Sequence, residues 1–164
     1  MTKYIYRKKL YSQNEIINIV LDLKKKKKKI VFTNGCFDIL HRGHICYLRK
    51  SRELGDALII GLNSDKSVKR LKGEKRPINS EKDRAYLLEA LEFVDYIVIF
   101  NEDTPLKLIQ KIQPDYYTKS GDYSINNLIG PNMGREIIES YCGHVVIMDF
   151  EKGYSTTSII NKSK

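Results

Sequence analysis

Short apolar runs alternate with stretches of helical periodicity, and this alternation constrains the fold more than any other feature of the sequence. The runs lack the polar alternation of a half-exposed strand, so they are typical of parallel strands that are covered on both faces. They read "IVFT" (30–33), "ALIIGL" (57–62), "YIVIF" (96–100), the weaker "DYYT" (115–118) and "VVIM" (145–148). The sequence therefore predicts an α/β fold with a doubly wound, five-stranded parallel sheet and helices on both faces.

Capping signals mark the helices between these runs. Ser12 and Glu15 form a capping box, Ser80 precedes another helix, and Thr104-Pro105 opens a short one. A chain of 164 residues fits one domain. We predict a single domain over residues 1–164, with an N-terminal helix at about 12–28 and a core at about 30–162.

The composition favours a reducing compartment. Cys36, Cys46 and Cys142 are odd in number and far apart, and they form neither a CxxC pair nor a disulfide framework. No apolar run approaches the ~20 residues of a transmembrane helix, and the first residues do not resemble a signal peptide. We expect a cytoplasmic protein that does not bind a membrane.

Polar segments follow four of the predicted strands: "NGCFD", "NSD", "KSGD" and "FEKGYSTT". In a Rossmann-like sheet the carboxyl ends of parallel strands lie at one rim, and ligands bind there at the switch in strand order. The four segments are therefore expected to converge on one binding site.

The net charge of +9 favours an anionic partner, which is a nucleic acid, a membrane surface or a phosphorylated small molecule. The run Lys24–Lys29 is interpreted as a solvated helix end, because no aromatic residue is interleaved to stack a base. A second basic cluster, 66–76, lies in a loop-like stretch beside Gly73 and Pro77. We expect at least one of its charges to serve function.

Two histidines follow the first predicted strand. His41 and His44 are three residues apart in the first turn of a helix, which places both imidazoles on one face. Gly35 to Phe37 supply backbone N–H groups, and with the helix N-terminus they form an anion site. Gly43 allows a close approach to the backbone. Neither GxxxxGK[ST] nor GxGxxG is present in this loop.

Other interpretations of these residues remain open. Two histidines at this spacing can ligate zinc, although zinc needs further ligands. They can also be packed side chains without function, which is how His144 is interpreted. Cys36 can be a nucleophile at a helix N-terminus or a small buried thiol in a tight turn.

The segment "TNGCFDILHRGH" resembles the signature of the cytidylyltransferase-like nucleotidyltransferases, in which "HRGH" matches their HxGH motif. Together with "NSDKSVKRLKGEKRPIN", "DRAYLLEALEFVDYIVIFNEDTP", "KSGDY" and "STTSII", it resembles the D-glycero-D-manno-heptose 1-phosphate adenylyltransferases in their stand-alone form. The resemblance covers roughly Ile30 to Lys162. The family reads Lys-Gly-Gly-Asp-Tyr where this chain has Ser120 as the second residue.

The resemblance implies transfer of an adenylyl group from ATP to the sugar phosphate, giving ADP-heptose and pyrophosphate for lipopolysaccharide or related glycans. His41 and His44 are the implied catalytic residues and donate hydrogen bonds to the ATP phosphates. Asp38 has an orienting or metal-linked role, "KSGD" borders the base and "STT" contacts the β- and γ-phosphates. The implied nucleotide-binding residues are Thr33, Asn34, Gly35, Cys36, Phe37, Asp38, Lys119, Gly121, Asp122, Ser155, Thr156 and Thr157.

The acceptor is assigned to the basic stretch after the second strand, with Lys72 and Arg76 as phosphate ligands, Asp65 near the sugar hydroxyls and Arg84 as a further phosphate ligand. Mg²⁺ is expected to be carried by the ATP phosphates. The resemblance also implies a homodimer. Three alternatives remain: a glycerol-3-phosphate cytidylyltransferase, an FMN adenylyltransferase, and a non-catalytic nucleic-acid-binding module. The chosen interpretation includes no nucleic-acid partner.

Overall fold

The computed structural model describes residues 8–120, 133–149, 154 and 156–162. Its centre is a parallel sheet in the order β1-β4-β3-β2-β5-β6. The strands are β1 (Leu10–Tyr11), β2 (Ile30–Gly35), β3 (Ala57–Asn63), β4 (Tyr96–Phe100), β5 (Tyr116–Ser120) and β6 (His144–Met148). All five neighbouring pairs run parallel, so the predicted doubly wound parallel sheet is confirmed.

Seven helices are described. They are α1 (Gln13–Lys25), α2 (Arg42–Arg52), α3 (Asp65–Lys72), α4 (Glu81–Glu89), α5 (Leu106–Ile112), α6 (Met133–Ser140) and α7 (Thr156–Lys162). The predicted capping box is present at α1, where Glu15 N–H donates to Ser12 Oγ over 3.3 Å and Ser12 N–H donates to Glu15 Oε2 over 2.7 Å. Ser80 caps α4 in the same way, accepting from Asp83 N–H at 3.3 Å. Helix α5 begins one residue later than predicted, with Pro105 at the N-cap.

Helices cover both faces of the sheet, as the sequence predicts. Alternate residues of one strand enter two separate cores, since successive side chains point to opposite faces. Phe32 of β2 packs with α1, α5 and α6, whereas Val31 packs with α2 and α4. Both side chains are fully buried. Burial on both faces explains the continuous apolar runs in the sequence.

The predicted number of strands is wrong by one. Strand β1 has only two residues, Leu10 and Tyr11, which pair with Ile97 and Val98 of β4. Such a segment is too short to show any periodicity. Glu89 Oε1 holds it in place by accepting hydrogen bonds from Lys9 N–H and Leu10 N–H, both over 2.9 Å.

The basic stretch after β3 is also different from the prediction. Residues 65–72 form helix α3, which Ser64 caps by accepting a hydrogen bond from Ser67 N–H at 3.1 Å. Only the segment after Gly73, whose φ is +92°, is a loop. Four cationic side chains of the stretch therefore project from a helix, and Lys75 and Arg76 project from the loop.

Candidate active site

The carboxyl ends of β2 and β5 border the candidate site. From β2 the chain moves through β3 to β4 on one side of the sheet, and β5 and β6 lie on the other side. The order of the strands therefore reverses between β2 and β5, where an open α/β sheet leaves a crevice for ligands. A cavity of about 440 Å³ opens at this point.

Ten predicted site residues lie in the wall of this cavity: Asn34, Gly35, Cys36, Phe37, Asp38, His44, Lys72, Arg76, Lys119 and Thr156. The prediction that the strand ends converge on one site is thus confirmed for the described residues. Gly121, Asp122 and Ser155 lie outside the described residues, and Thr157 is described only for its backbone, in α7.

The two histidines are stacked on each other. His41 occupies the N-cap position of α2 and His44 lies in its first turn. Their ring centroids are 3.8 Å apart with an interplanar angle of 23°. The Nδ1 atoms of both rings are buried and accept or donate no hydrogen bond within the described chain. Both rings are therefore fixed by packing. The His44 ring lines the cavity, whereas the predicted catalytic residue His41 is not one of its lining residues.

Gly43 makes this stacking possible. A Cβ at this position would lie 3.0 Å from His41 Nδ1 and 3.4 Å from Tyr154 Cβ, so any larger residue would push the His41 ring away. The prediction for Gly43 is a close approach of a ligand to the backbone. The structure instead shows the close approach of the neighbouring histidine ring and of Tyr154.

Burial keeps both histidines neutral. It lowers the pKa of His41, and burial together with the adjacent His41 lowers the pKa of His44 to about 4. A neutral imidazole has one N–H donor and one acceptor nitrogen. At pH 7 the pair can therefore donate to phosphate oxygens without the desolvation cost of two buried charges.

The loop after β2 is held in an unusual conformation. Phe37 has φ +45°, in the left-handed region, and its ring is nearly buried. The same ring contacts the His44 ring, at a centroid distance of 5.2 Å. A Cβ on Gly35 would lie 3.0 Å from the Phe37 ring. The glycine and the strained phenylalanine thus fix the shape of the predicted phosphate loop.

Asp38 joins this loop to the segment that follows α3. Its side chain is almost fully buried and forms an ion pair with Arg76 through Oδ2. Its Oδ1 accepts from Ile78 N–H at 2.8 Å and from Asn79 N–H at 3.0 Å. Three protein donors therefore occupy the carboxylate. These contacts fix the position of the Asp38 carboxylate, and its orienting or metal-linked role stays a prediction.

Arg84 lies behind the cavity wall. Its side chain is fully buried and donates to three elements: the Cys36 carbonyl, the Asn79 carbonyl over 3.1 Å, and Asp65 Oδ1 over 2.9 Å. Arg84 and Asp65 were predicted to bind the sugar phosphate, yet neither residue lines the cavity. Arg84 faces inward because it lies on the buried side of α4, beside Ala85 and Leu88.

Thr33 is a second predicted residue that the structure places below the cavity. Its fully buried hydroxyl is 2.6 Å from Tyr47 Oη and donates to the Thr118 carbonyl at 3.2 Å. Thr118 Oγ1 lies 3.0 Å from Ser51 Oγ. This buried polar cluster ties β2 and β5 to α2 beneath the crevice. Thr33 therefore supports the site without facing a ligand.

Thr156 and Lys119 complete the wall. Thr156 Oγ1 donates to the Ile39 carbonyl over 3.5 Å, which brings the start of α7 to the phosphate loop. Lys119 Nζ donates to the Asn34 carbonyl over 3.2 Å, and its ammonium lies 5.7 Å from the Tyr117 ring centroid. Burial lowers the pKa of Lys119 to about 8.

Sequence reasoning missed part of the cavity wall: Tyr47, Leu71, Asp103, Thr104 and Pro105. The last three follow the carboxyl end of β4, so the rule that located the other segments also points to them. Tyr47 and Leu71 are apolar or aromatic residues on helices, and no sequence signal distinguishes them from core residues.

The described residues contain no group of three or more His, Cys, Asp or Glu side chains arranged to hold a metal ion. No helix in the described ranges has both the length and the apolar character needed to cross a bilayer.

A doubly wound sheet that carries stacked histidines beside a glycine-containing anion loop is the architecture of a nucleotidyltransferase domain. The chain belongs to the cytidylyltransferase-like family, whose model matches residues 32–162. The family assignment covers all the cavity residues discussed above.

Individual relatives and solved structures show which members of the family this chain is similar to. The bifunctional protein HldE of Helicobacter pylori (strain J99) is 55% identical over 142 residues, which cover 87% of this chain and 29% of the relative. HldE of Campylobacter concisus (strain 13826) is 54% identical over 159 residues, 97% of this chain and 32% of the relative. The chain thus spans about a third or less of the length of these relatives.

The crystal structure of a lipopolysaccharide core biosynthesis protein from Thermoplasma volcanium is similar, with a TM-score of 0.61 and 31% identity. The match covers 78% of this chain and 99% of the other. A pantoate-β-alanine ligase from Francisella tularensis has the same TM-score at 14% identity, over 94% of this chain and 76% of the ligase. This second likeness concerns the fold alone.

Proposed function

We propose that the protein transfers the adenylyl group of ATP to D-glycero-D-manno-heptose 1-phosphate, giving ADP-heptose and pyrophosphate. A phosphate oxygen of the sugar attacks the α-phosphorus, and the bond from that phosphorus to the bridging oxygen of the β-phosphate breaks. The attacking oxygen is already anionic, so the reaction needs neither a general base nor a covalent enzyme intermediate. The protein supplies positioning and charge stabilisation.

The observation that carries the proposal is a single cavity that is lined by groups for two anionic substrates. The loop Gly35 to Phe37 and His44 offer N–H donors to a triphosphate. Lys72 and Arg76, the latter also paired with Asp38, offer cations to an acceptor phosphate. An oxygen of the acceptor phosphate must come within attacking distance of the α-phosphorus of ATP, which one shared cavity allows.

The choice of heptose and of ATP rests on the resemblance of the signature segments described above, and similarity to a lipopolysaccharide core biosynthesis protein from Thermoplasma volcanium supports a role in the same area of metabolism. We propose that the product enters lipopolysaccharide or related glycan synthesis. Mg²⁺ is proposed to travel on the ATP phosphates, because oxygen ligands from a nucleotide commonly replace protein ligands for this ion. When bound, it would neutralise charge on the triphosphate.

We also propose a domain organisation, a cellular location and an oligomeric state. We propose one catalytic domain over residues 30–162, preceded by the N-terminal helix, and a cytoplasmic location, which the three free thiols favour. A homodimer is also proposed. The exposed apolar side chains Ile78, Tyr86 and Leu87 near α4 are suited to a subunit contact, and light scattering would measure the mass.

The test of function supplies ATP and CTP together with heptose 1-phosphate, glycerol 3-phosphate or FMN. Pyrophosphate release is measured, and the nucleotide products are identified by mass spectrometry. We expect ADP-heptose as the main product. A cytidine product, or turnover with glycerol 3-phosphate and none with the heptose, would replace the proposal with a glycerol-3-phosphate cytidylyltransferase. Transfer to FMN would indicate the flavin enzyme.

A further inference from the structure

Four hydroxyl groups meet between α2 and the sheet, directly beneath the crevice. They belong to Tyr47 and Ser51 of α2, Thr33 of β2 and Thr118 of β5. All four side chains are buried, and Tyr47 is the most exposed of them, at 7%. The Tyr47 ring also belongs to the apolar core on this side of the sheet. Polar groups in such a place need hydrogen-bond partners, because their desolvation is otherwise uncompensated.

The hydrogen bonds of this cluster run in one direction. Thr33 Oγ1 donates to the Thr118 carbonyl over 3.2 Å, since a carbonyl oxygen can only accept. Each hydroxyl has one proton, so Tyr47 Oη donates to Thr33 Oγ1 over 2.6 Å, and Thr118 Oγ1 donates to Tyr47 Oη over 3.1 Å. Ser51 Oγ then donates to Thr118 Oγ1 over 3.0 Å. We call this series, from Ser51 through Thr118 and Tyr47 to Thr33, the hydroxyl chain.

The helix end of the hydroxyl chain lies on the same face of α2 as His44. His44, Tyr47 and Ser51 are separated by three and then four residues, which is the spacing of neighbours on one helical face. Tyr47 is one turn from His44, and its ring lines the same cavity. A displacement of this face of α2 would therefore move the His44 ring within the cavity.

The strand end of the hydroxyl chain lies beside the phosphate loop. Thr33 is two residues before Gly35 in β2, and residues two apart share a face of a strand. That face is the one on which Val31 packs against α2. Thr118 lies in β5, the strand next to β2 at the reversal of strand order. The hydroxyl chain thus connects both strands that border the crevice to the helix that carries His44.

Hydrogen bonds restrict the position of a helix more than apolar packing does. Apolar attraction has no preferred direction, whereas a hydrogen bond weakens steeply as its angle departs from the optimum. A fully satisfied buried network therefore specifies one arrangement of the elements that it joins. Catalysis depends on such placement, because a displacement of about 1 Å can lower a rate by about 10²-fold.

We propose that Tyr47 is a positioning residue for adenylyl transfer. Through the hydroxyl chain, it fixes the His44 ring on α2 relative to the phosphate loop that follows β2. This inference rests on the proposed function, because the reaction is the one proposed above. Tyr47 acts through His44 and the loop, and its hydroxyl is used within the protein.

The first experiment breaks the hydroxyl chain at two points. Tyr47→Phe keeps the ring in the cavity wall and removes only the hydroxyl. Thr118→Val replaces a hydroxyl by a methyl group at a residue that does not line the cavity. We expect each change to lower kcat by about 10- to 100-fold, with a smaller change in KM for ATP. The double variant should be no slower than the slower single variant, because either change interrupts the same series of bonds.

Two further variants are controls for this experiment. Tyr11→Phe also removes a tyrosine hydroxyl that donates a hydrogen bond, to the Lys8 carbonyl over 3.1 Å, but at the β1 edge of the sheet. It should match the wild type. Thr118→Ser keeps a hydroxyl and should retain most of the kcat that Thr118→Val loses. Thermal unfolding of each variant shows that it is folded.

The second experiment introduces Tyr47→Phe into the His44→Ala protein. If Tyr47 acts by placing the imidazole, its hydroxyl has little effect on kcat once the imidazole is absent. Tyr47→Phe should then lower kcat by less than about twofold, against about 10- to 100-fold when His44 is present. A loss of the same factor in both backgrounds would show a general structural role and would overturn the proposal.

The third experiment follows the His44 ring by NMR without any substrate. The chain has three histidines, so each imidazole Cε1–H signal can be assigned by removing one histidine at a time. The rings of His41 and Phe37 lie 3.8 and 5.2 Å from that of His44, and their ring currents shift its signal. Tyr47→Phe should move this signal towards its position in the unfolded protein and leave that of His144 in place.

The outcomes separate the two proposals. If the wild type transfers no adenylyl group, the proposed function fails, and a positioning role in that reaction fails with it. If the wild type is active, and Thr118→Val retains both its kcat and its His44 signal, only the role of the hydroxyl chain is overturned. A loss of kcat in Tyr47→Phe but not in Thr118→Val would also overturn it, since that result indicates a direct contact of Tyr47 with a substrate.

Discussion

His44 is the residue whose chemistry the structure defines most closely. Its ring is fixed between His41 and Phe37 and faces the cavity. We expect His44→Ala to lower kcat by about 10²–10³, because one preorganised donor to the transition state is lost. KM for ATP should change less. His144→Ala is the control, since His144 is exposed at the opposite edge of the sheet. Wild-type turnover in a folded His44→Ala protein contradicts the assigned role.

The same residue makes stability depend on pH. The pKa of His44 is about 4 in the folded protein and about 6.5 in an unfolded chain. Between these values the unfolded state binds more protons, so the free energy of unfolding falls as the pH is lowered. From pH 7 to pH 5 the ligand-free protein should lose about 2 kcal/mol through His44.

Urea unfolding at both pH values measures this effect. His44→Gln keeps a polar side chain but cannot titrate, so its loss of stability between pH 7 and pH 5 should be smaller by that amount. Equal losses in the wild type and the variant would show that His44 is not held neutral by the fold.

At the scale of elements, the two cations proposed to bind the acceptor phosphate lie on different elements: Lys72 on α3 and Arg76 on the loop after it. Lys72 is exposed on the last turn of α3, so Lys72→Met should raise KM for the sugar phosphate and leave ATP affinity unchanged. Arg76→Met has a second effect, because it leaves the buried Asp38 carboxylate without its cation. We expect it to lower the free energy of unfolding by about 3–5 kcal/mol. Steady-state kinetics and urea unfolding of both variants check this difference.

The elements also show what the sequence can predict. The continuous apolar runs predict β2, β3 and β4 because burial on both faces leaves a pattern in every residue. The edge strand β6 has a similar run, although its residues 145–148 are only half-buried. Helix α3 was missed because its charged residues surround few apolar ones, and only its cap, Ser64, and Val68 indicate a helix. Strand β1 is held by long-range bonds to Glu89, which no local pattern can report.

The candidate site could be predicted only in part, for a related reason. Residues at strand ends, such as Gly35 and Lys119, are located by topology. Arg84 and a phosphate-binding arginine have the same side chain, and only the three-dimensional contacts distinguish them. The buried Arg84 guanidinium donates to three protein acceptors, which lie 5, 19 and 48 positions away in the chain.

At the scale of the whole molecule, the net charge is spread over two opposite edges of the sheet. A second cavity, of about 340 Å³, lies at the amino edge and is bordered by Lys24, Lys27, Lys28 and Lys29. Lys28 and Lys29 are paired with Asp56 and Asp115. Strand β2, with six residues, separates the edges by ~20 Å, which exceeds the Debye length of ~8 Å at physiological salt.

The lysine run should therefore be dispensable for catalysis. We expect replacement of Lys24, Lys25 and Lys27 by Gln to leave kcat and both KM values within about twofold of the wild type, because the charges are screened from the site. Any weak retention of oligonucleotides should decrease with these changes and with added salt. A specific oligonucleotide complex that resists salt, with no adenylyl transfer, would favour the nucleic-acid-binding alternative.

The buried bridge from Asp38 to Arg76 and Asn79 has a thermodynamic consequence for substrate binding. The bridge joins the loop proposed to receive ATP to the loop proposed to receive the sugar phosphate, so ordering one loop should lower the entropic cost of ordering the other. Such cooperativity is reciprocal: the factor by which heptose 1-phosphate tightens ATP binding must equal the factor by which ATP tightens heptose 1-phosphate binding. We expect a synergy of about 5- to 150-fold, measurable with a non-transferable ATP analogue. Asn79→Ala, which removes the side-chain bond to the Asp38 carbonyl and leaves every cavity-lining group in place, should reduce both factors equally.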